Sequence, residues 1–358
     1  MQKRLKWMIP GILSVSMILN GCMFEGEQSL EEMDPPPEDV EMIDDLENTE
    51  DQTDEQGDRT SEPVSNTTER TLYLIDQNGF VVPQILQLPA AESKEVARQS
   101  LEYLVIGGPV SNLLPNGFQA VLPAGTEVNG LNLQEDGTLI VDVSEEFTNY
   151  RPEDELKILQ AMTFTLTQFD SIERIKLRIN GKDQEVMPVN GTPISEGFSR
   201  DQGINVFAGD VYDLLDSKAV TLYYPAQHDN EYYYVPVTIP IQTKENDMYE
   251  AVVQALMDGP SAELPLLNVF RENVQLTEDP EFTDGILTLT FNESIFSQPE
   301  NQVISDEVMT SLVLSLTELP GIEAVQVQVE GHEQVFQESG EELSEPVTRE
   351  KMQQIGSI

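Results

Sequence analysis

Two histidines, one cysteine and a large excess of carboxylates are the reactive groups of this 358-residue chain. His228 and His332 are too few for most histidine-based catalytic or metal constellations. There is no GxSxG elbow, HExxH, Ser-x-x-Lys, Walker A loop or EF-hand loop to supply chemistry another way. Each histidine falls near a turn, so an exposed turn residue is expected at both positions. Asp136-Gly137 and Asp284-Gly285 each precede an alternating strand and read as hairpin turns rather than metal ligands. A glycosidase needs two carboxylates facing each other across a substrate. Among 65 Asp and Glu no such pair stands out. The sequence therefore assigns no catalytic, cofactor-binding or metal residue, and no cofactor is expected.

The cysteine is different. A single thiol excludes an intrachain disulfide, a CxxC redox pair and a zinc ribbon. Its position points elsewhere. Lys3, Arg4 and Lys6 form a positive start, Trp7 to Leu19 is an apolar run, and Leu19-Asn20-Gly21-Cys22 follows. This pattern resembles the bacterial lipobox at the end of a signal peptide spanning residues 1–22. Cys22 is accordingly the expected lipidation site, with acyl chains such as palmitate holding the mature chain on the membrane. Two chains at about 0.8 kcal/mol per buried methylene anchor stably where one is marginal. No later stretch is apolar enough to span a bilayer, which places the remainder on the extracytoplasmic face.

Residues 23–69 carry 18 acids and one base, Arg59, around Pro35-Pro36-Pro37. So charged and so poor in apolar groups, they are expected to remain a disordered tether. As a coil they would reach on the order of 35–40 Å. Over the whole chain 65 acids oppose 19 bases, a net charge of −46, which excludes a direct nucleic-acid binder. The signal contributes +3 and the tether −17, so residues 70–358 keep −32. That acidity disfavours direct contact with anionic lipid or wall polymer.

What must position any function is a domain present twice. Leu72-Tyr73 returns as Leu222-Tyr223, Gly108-Pro109 as Gly259-Pro260, and Asp136-Gly137-Thr138-Leu139 as Asp284-Gly285-Ile286-Leu287. Leu166-Thr167 matches Leu316-Thr317, and Gly181 matches Gly331. A period near 150 residues means duplication rather than a solenoid. Each copy begins with a hairpin, turning near Asn78-Gly79 or Asp229-Asn230, which is expected to extend the central sheet. A helix ending at Gly-Pro follows, then a second hairpin at Asp-Gly. The next helix carries Leu159, Met162, Leu166 and Phe169, repeated as Met309, Leu312, Leu316 and Leu319. A last strand buries Ile175, Leu177 and Ile179, or Val325, Val327 and Val329. The expected fold class is α+β: two small tandem two-layer domains with a helix-strand-strand-helix-strand core and extra hairpins. Copy 1 covers 70–190 and copy 2 covers 218–336. Residues 191–217 read as an interdomain connection packed on a domain, and 337–358 as a polar tail.

Lipobox, tether and duplicated domain together resemble the GerMN (germane) family of sporulation and spore-germination lipoproteins. The resemblance implies an endospore-forming source and a non-enzymatic role outside the cytoplasm, in the space between mother cell and forespore. The core order is also similar to ring-building motifs, which implies a scaffold or docking module. Its partners would be the membrane, through Cys22, and proteins of an envelope complex or further copies of itself; no nucleic acid is expected. The alternative is a module binding peptidoglycan, another glycan or a germinant, stacking it on Tyr223, Tyr224, Tyr232, Tyr233 and Tyr234.

Overall fold

The computed structural model describes residues 67–92, 95–209, 217–242 and 248–355. Cys22, the signal segment and residues 23–66 of the acidic tether lie outside these residues; the last three residues assigned to the tether, Thr67 to Glu69, are not disordered but open the first strand, where they pair with Gln87 to Pro89. Among the described residues no helix is long and apolar enough to cross a membrane.

Copy 1 runs β1 (Thr67–Ile75), β2 (Val81–Pro89), α1 (Val96–Glu102), β3 (Val128–Leu133), β4 (Thr138–Val143), α2 (Glu155–Leu166), β5 (Arg174–Ile179), β6 (Lys182–Asp183) and β7 (Phe198–Ser199). Copy 2 runs β8 (Ser217–His228), β9 (Glu231–Gln242), α3 (Met248–Asp258), β10 (Glu281–Thr283), β11 (Ile286–Phe291) and β12 (Val303–Ile304). It continues through α4 (Asp306–Leu316), β13 (Ala324–Val329), β14 (Phe336–Gln337), β15 (Val347–Thr348) and α5 (Arg349–Ile355).

The core elements follow from the pattern of the sequence. The Asp-Gly turns join β3 to β4 and β10 to β11 as antiparallel pairs. In copy 2 both turn residues take the left-handed conformation, Asp284 at φ 51° and Gly285 at φ 82°. That is the geometry a two-residue hairpin demands. α2 then carries the chain across the sheet, so β5 pairs parallel to β4, and α4 does the same for β13 and β11. Leu139, Val141 and Val143 alternate inward from β4, as do Leu287, Leu289 and Phe291 from β11. Burial of each such aliphatic or aromatic side chain contributes about 1.5–3 kcal/mol.

The first hairpin of each copy departs from expectation. β1 pairs along its length with β2 and β8 with β9, each pair forming its own two-stranded sheet separate from the central one. The hairpin lies on the far side of the long helix, so α2 is packed between β1 and β5, and α4 between β8 and β13. Both helices are thus buried around their whole circumference, Ile158 to Leu166 and Val308 to Leu316. One enclosed hydroxyl of each helix bonds to its hairpin. Thr165 Oγ1 accepts the backbone N–H of Tyr73 at 3.0 Å, and Ser315 Oγ accepts that of Tyr223 at 2.8 Å. These bonds fix each hairpin on its helix.

Two boundaries also move. The segment read as an interdomain connection supplies β7, which pairs with β5 through Arg174↔Ser199 and Ile175↔Phe198. The segment read as a polar tail supplies β15, which pairs with β13 through Ala324↔Thr348 and Val325↔Val347. Each copy therefore closes its sheet with an antiparallel edge strand lying beyond residue 190 or 336. Although polar overall, the second segment is held down by its few apolar residues: Leu343, Val347 and Met352 are all buried. The apolar residues Val211, Tyr212, Leu214 and Leu215 of the connection lie outside the described residues. The described residues fall within one compact unit.

Candidate functional site

The sequence-derived candidates fare unevenly. Cys22 is outside the described residues. Tyr223, Tyr224, Tyr233 and Tyr234 are buried, leaving only Tyr232, 40% exposed. A stacking platform on this hairpin is thereby ruled out: the tyrosines face α3, α4 and copy 1 instead of solvent. The histidines are not free turn residues either. The His228 ring lies against Gly117 of copy 1, where an added Cβ would come within 2.9 Å of it. His332 Nε2 is 3.0 Å from Glu293 Oε1, and its ring meets Phe296 edge-on at 5.1 Å. Asp136 Oδ1 accepts the N–H of Thr138 at 3.1 Å, the turn role expected of it. Among the described residues no group of three or more His, Cys, Asp or Glu converges on a metal position.

What the structure brings together is a polar cluster where the copies meet. The edge strands end in arginines: Arg200 follows β7 and Arg349 follows β15. Arg200 donates to Thr167 Oγ1 at 2.8 Å and to the Phe164 carbonyl at 3.2 Å. Arg349 donates to the equivalent groups, the Leu314 carbonyl at 2.7 Å and Thr317 Oγ1 at 3.0 Å. The Arg200 guanidinium sits 4.7 Å from the Phe164 ring centroid and that of Arg349 sits 4.9 Å from Tyr223. Both arginines thus satisfy the open carbonyl end of a buried helix, where a positive charge is favoured.

Glu318 joins the two. Its Oε1 accepts from Arg349 Nη2 at 2.7 Å and from the Tyr223 hydroxyl at 2.7 Å, and lies 3.9 Å from Arg200 Nη1. Burial pushes this carboxyl up, but the Arg349 and Arg200 charges outweigh burial and hold it below its ordinary value. Burial likewise pushes the Tyr223 phenol far up, so it remains a neutral donor.

A second set of contacts spans the copies through the hairpins. The Tyr233 hydroxyl donates to Asp76 Oδ2 at 2.8 Å, while Asp76 Oδ1 accepts the N–H groups of Asn78 and Phe80. The Tyr233 ring meets Phe118 edge-on at 5.1 Å. The Asn205 amide bridges β2 and β9, donating to the carbonyls of Val81 at 2.8 Å and Pro236 at 2.7 Å. Its oxygen accepts the Val81 N–H at 2.9 Å.

Copy 1 adds a buried carboxylate of its own. Glu155, at the start of α2, is fully buried. It accepts from the Tyr150 hydroxyl, the Val189, Asn190 and Thr192 N–H groups and the Thr192 hydroxyl, at 2.6–3.1 Å. Burial raises its pKa, and the donors, led by Asn190 and Thr192, bring it below the usual value. This carboxylate ties down the loop that leads to β7.

Beside it opens a groove of about 420 Å³, between the Asp76–Phe80 turn, the strand-like stretch through Val121 and the start of α2. Ile75, Ile106, Val121 and Ile158 supply apolar surface, and Asp76, Asp154, Arg151 and Lys157 bring charges of both signs.

Sequence reasoning missed Arg200, Arg349, Glu318 and Glu155. A signal for the arginines was present: Ile194-Ser195-Glu196-Gly197-Phe198-Ser199-Arg200 returns as Leu343-Ser344-Glu345-Pro346-Val347-Thr348-Arg349. This carries the duplication past both assumed domain ends.

Known proteins agree with the duplicated architecture. A family described as Germane, sporulation and spore germination, matches residues 71–185 and again 221–335. The chain is 46% identical to the spore germination protein GerM of Bacillus subtilis (strain 168) over 357 residues, 97% of this chain and 96% of that protein. The solved tandem GerMN domains of the B. subtilis sporulation protein GerM superpose with a TM-score of 0.73 at 50% identity. They cover 79% of this chain and 97% of theirs. With two Germane domains matched in order and a full-length relative at this identity, the chain belongs to the Germane family of sporulation and spore germination proteins.

Proposed function

We propose that this protein is an extracytoplasmic lipoprotein, anchored through lipidated Cys22, that acts without catalysis as a scaffold or docking module in an envelope complex. The complex serves sporulation and spore germination, between mother cell and forespore. One observation carries the reading: the two copies are joined by side-chain contacts, Tyr233 to Asp76 and Phe118, Asn205 to Val81 and Pro236, and Glu318 to Arg200. Two joined copies suit docking, and the charge of −32 over residues 70–358 keeps the folded unit from anionic lipid and wall polymer. With its tyrosines buried, the glycan-stacking alternative loses the surface it required.

Crosslinking in sporulating cells tests the proposal. The wild-type chain should capture envelope proteins or further copies of itself. Cys22→Ala should leave the precursor unprocessed or release it from membranes, and should diminish that capture. A Cys22→Ala protein with unchanged mature mass, membrane fraction and crosslinks would refute the anchored scaffold.

A further inference from the structure

The asparagine-glycine pairs of the chain are unevenly held. Five lie among the described residues, at 78–79, 116–117, 129–130, 180–181 and 190–191, the last ending just past copy 1 as first bounded. In such a pair the backbone nitrogen of the glycine can attack the side-chain amide before it, because glycine has no Cβ to crowd the approach. The attack needs an asparagine free to turn and a glycine N–H free of hydrogen bonds.

Four of these glycines are tied down. Gly79 donates its N–H to the Asp76 carbonyl at 3.0 Å, Gly181 to Asp142 Oδ1 at 3.0 Å, and Gly191 to the Met187 carbonyl at 3.2 Å. Gly130 lies inside the β3–β4 pairing, opposite Asp142. Gly117 is the exception. It follows Pro115-Asn116 in a turn closed by the Phe118 N–H on the Pro115 carbonyl at 3.2 Å, and its own N–H has no partner among the described residues. Asn116 is exposed, and its side-chain amide has no partner among them either. It lines a cavity of about 240 Å³ with Leu113 and Pro115 of its own loop and with His228, Asp229 and Glu231 of the copy 2 hairpin.

From this difference we infer that Asn116 is a site of slow self-modification that loosens a contact between the copies. The Gly117 nitrogen bonds to Asn116 Cγ, the Cγ–Nδ2 bond breaks, and the proton given up by Gly117 leaves with the amide group as ammonia. Water then opens the resulting cyclic imide at either of its carbon–nitrogen bonds. Opening at Cγ yields aspartate; opening at the backbone carbonyl yields isoaspartate, whose main chain is longer by one carbon. The longer turn must shift Gly117, and the His228 ring already fills the space over it: an added Cβ would meet Cδ2 and Nε2 of that ring at 2.9 Å. Isoaspartate at 116 therefore displaces the tip of the β8–β9 hairpin. The reaction needs only water, so it stands apart from the docking reading.

Ageing the purified full-length chain in detergent at mildly alkaline pH, followed by peptide mass spectrometry, tests the site. Asn116 should exchange amide for acid about tenfold faster than Asn78, Asn129, Asn180 or Asn190, the factor that one backbone hydrogen bond can withhold. Most of the product there should be isoaspartate. Amide hydrogen exchange at residues 226–230 should quicken several-fold as it accumulates. Asn116→Gln, whose longer side chain cannot close the same ring, should keep both its mass and its slow exchange through the same period. Freshly prepared Asn116→Asp carries the charge without the longer main chain and should exchange as slowly as unaged wild type. Conversion at Asn116 no faster than at the other four, or equal exchange in aged wild type and aged Asn116→Gln, would overturn the proposal. Rapid exchange in fresh Asn116→Asp would overturn the role given to the longer main chain.

Discussion

The two copies share a framework and differ in how its ends are secured. In copy 2 the turn just after the long helix carries Glu318, which binds Arg349 and Tyr223 and lies beside Arg200. In copy 1 the matching position is Gln168, whose amide serves only its own lobe: it donates to the Thr71 carbonyl and accepts the Thr71 N–H. At the other end of the helices the asymmetry reverses. Copy 1 starts α2 on the buried Glu155 with its ring of donors, whereas copy 2 starts α4 on Ser305, whose Oγ caps the Val308 N–H at 3.3 Å. Apolar positions have stayed equivalent because both cores must fill the same space. Ionised groups have diverged because one charge at the junction is enough to satisfy two arginines.

The largest effect should come from breaking the junction on its stronger side. Arg349→Ala leaves the half-buried Glu318 with the neutral Tyr223 hydroxyl and Arg200 at 3.9 Å, and should cost about 3 kcal/mol in urea unfolding. Arg200→Ala leaves the Arg349–Glu318 pair intact and should cost about 1–2 kcal/mol. Equal losses would mean that the arginines are interchangeable and the asymmetry carries no energy. Acid offers a second way in. Glu318 is held below its ordinary value of 4.5 in the folded state, so its stabilising contribution is complete above that value. It is lost as pH falls through the lowered folded value. Glu318→Gln should therefore flatten the decline of stability between about pH 6 and pH 3; an unchanged slope would remove Glu318 from the acid response.

A middle-sized effect is expected at the helix starts. Glu155→Gln loses the charge that draws its donors in and should destabilise by about 2–3 kcal/mol. Ser305→Ala removes one ordinary cap and should cost about 1 kcal/mol. If the order is reversed on denaturant titration, the buried carboxylate is not the stronger anchor.

The smallest effects separate neighbours on one strand. Tyr233→Phe breaks the bond to Asp76 across the copies and should cost about 1 kcal/mol. Tyr232→Ala, on the exposed side of β9, should stay within about 0.5 kcal/mol of wild type. A large loss at Tyr232 would revive a role for its exposed ring.

The apolar framework was legible in the sequence because periodicity reports burial directly. Met309, Leu312 and Leu316 recur at the spacing of Leu159, Met162 and Leu166, and the Asp-Gly turns mark the strand pairs. Layer order was not legible: a helix buried on every side reads much like one buried on a single side when Thr165 and Ser315 take up the enclosed positions. The junction was hidden for another reason. Arg200 and Arg349 lie in short, irregular, largely polar segments, where hydrophobic period has nothing to report. Only the recurrence of the Ser-Glu-x-x-x-Arg spacing around them gave a trace.

The contacts that join the copies are remote along the chain: Asp76 to Tyr233 spans 157 residues and Gln77 to Gln227 spans 150. Closing loops of that length costs entropy before any contact repays it, which slows the step. Copy 1 has all its own strands once residue 199 has been made, and the hairpin contacts between the copies have their residues once 236 has been made, whereas the Glu318 clamp must wait for residue 349. Maturation thus has a built-in order, with the first lobe formed early and the closing of the second among the last events. A chain cut short of Arg349 would retain most of its apolar core and its hairpin contacts yet lack the group that clamps Glu318.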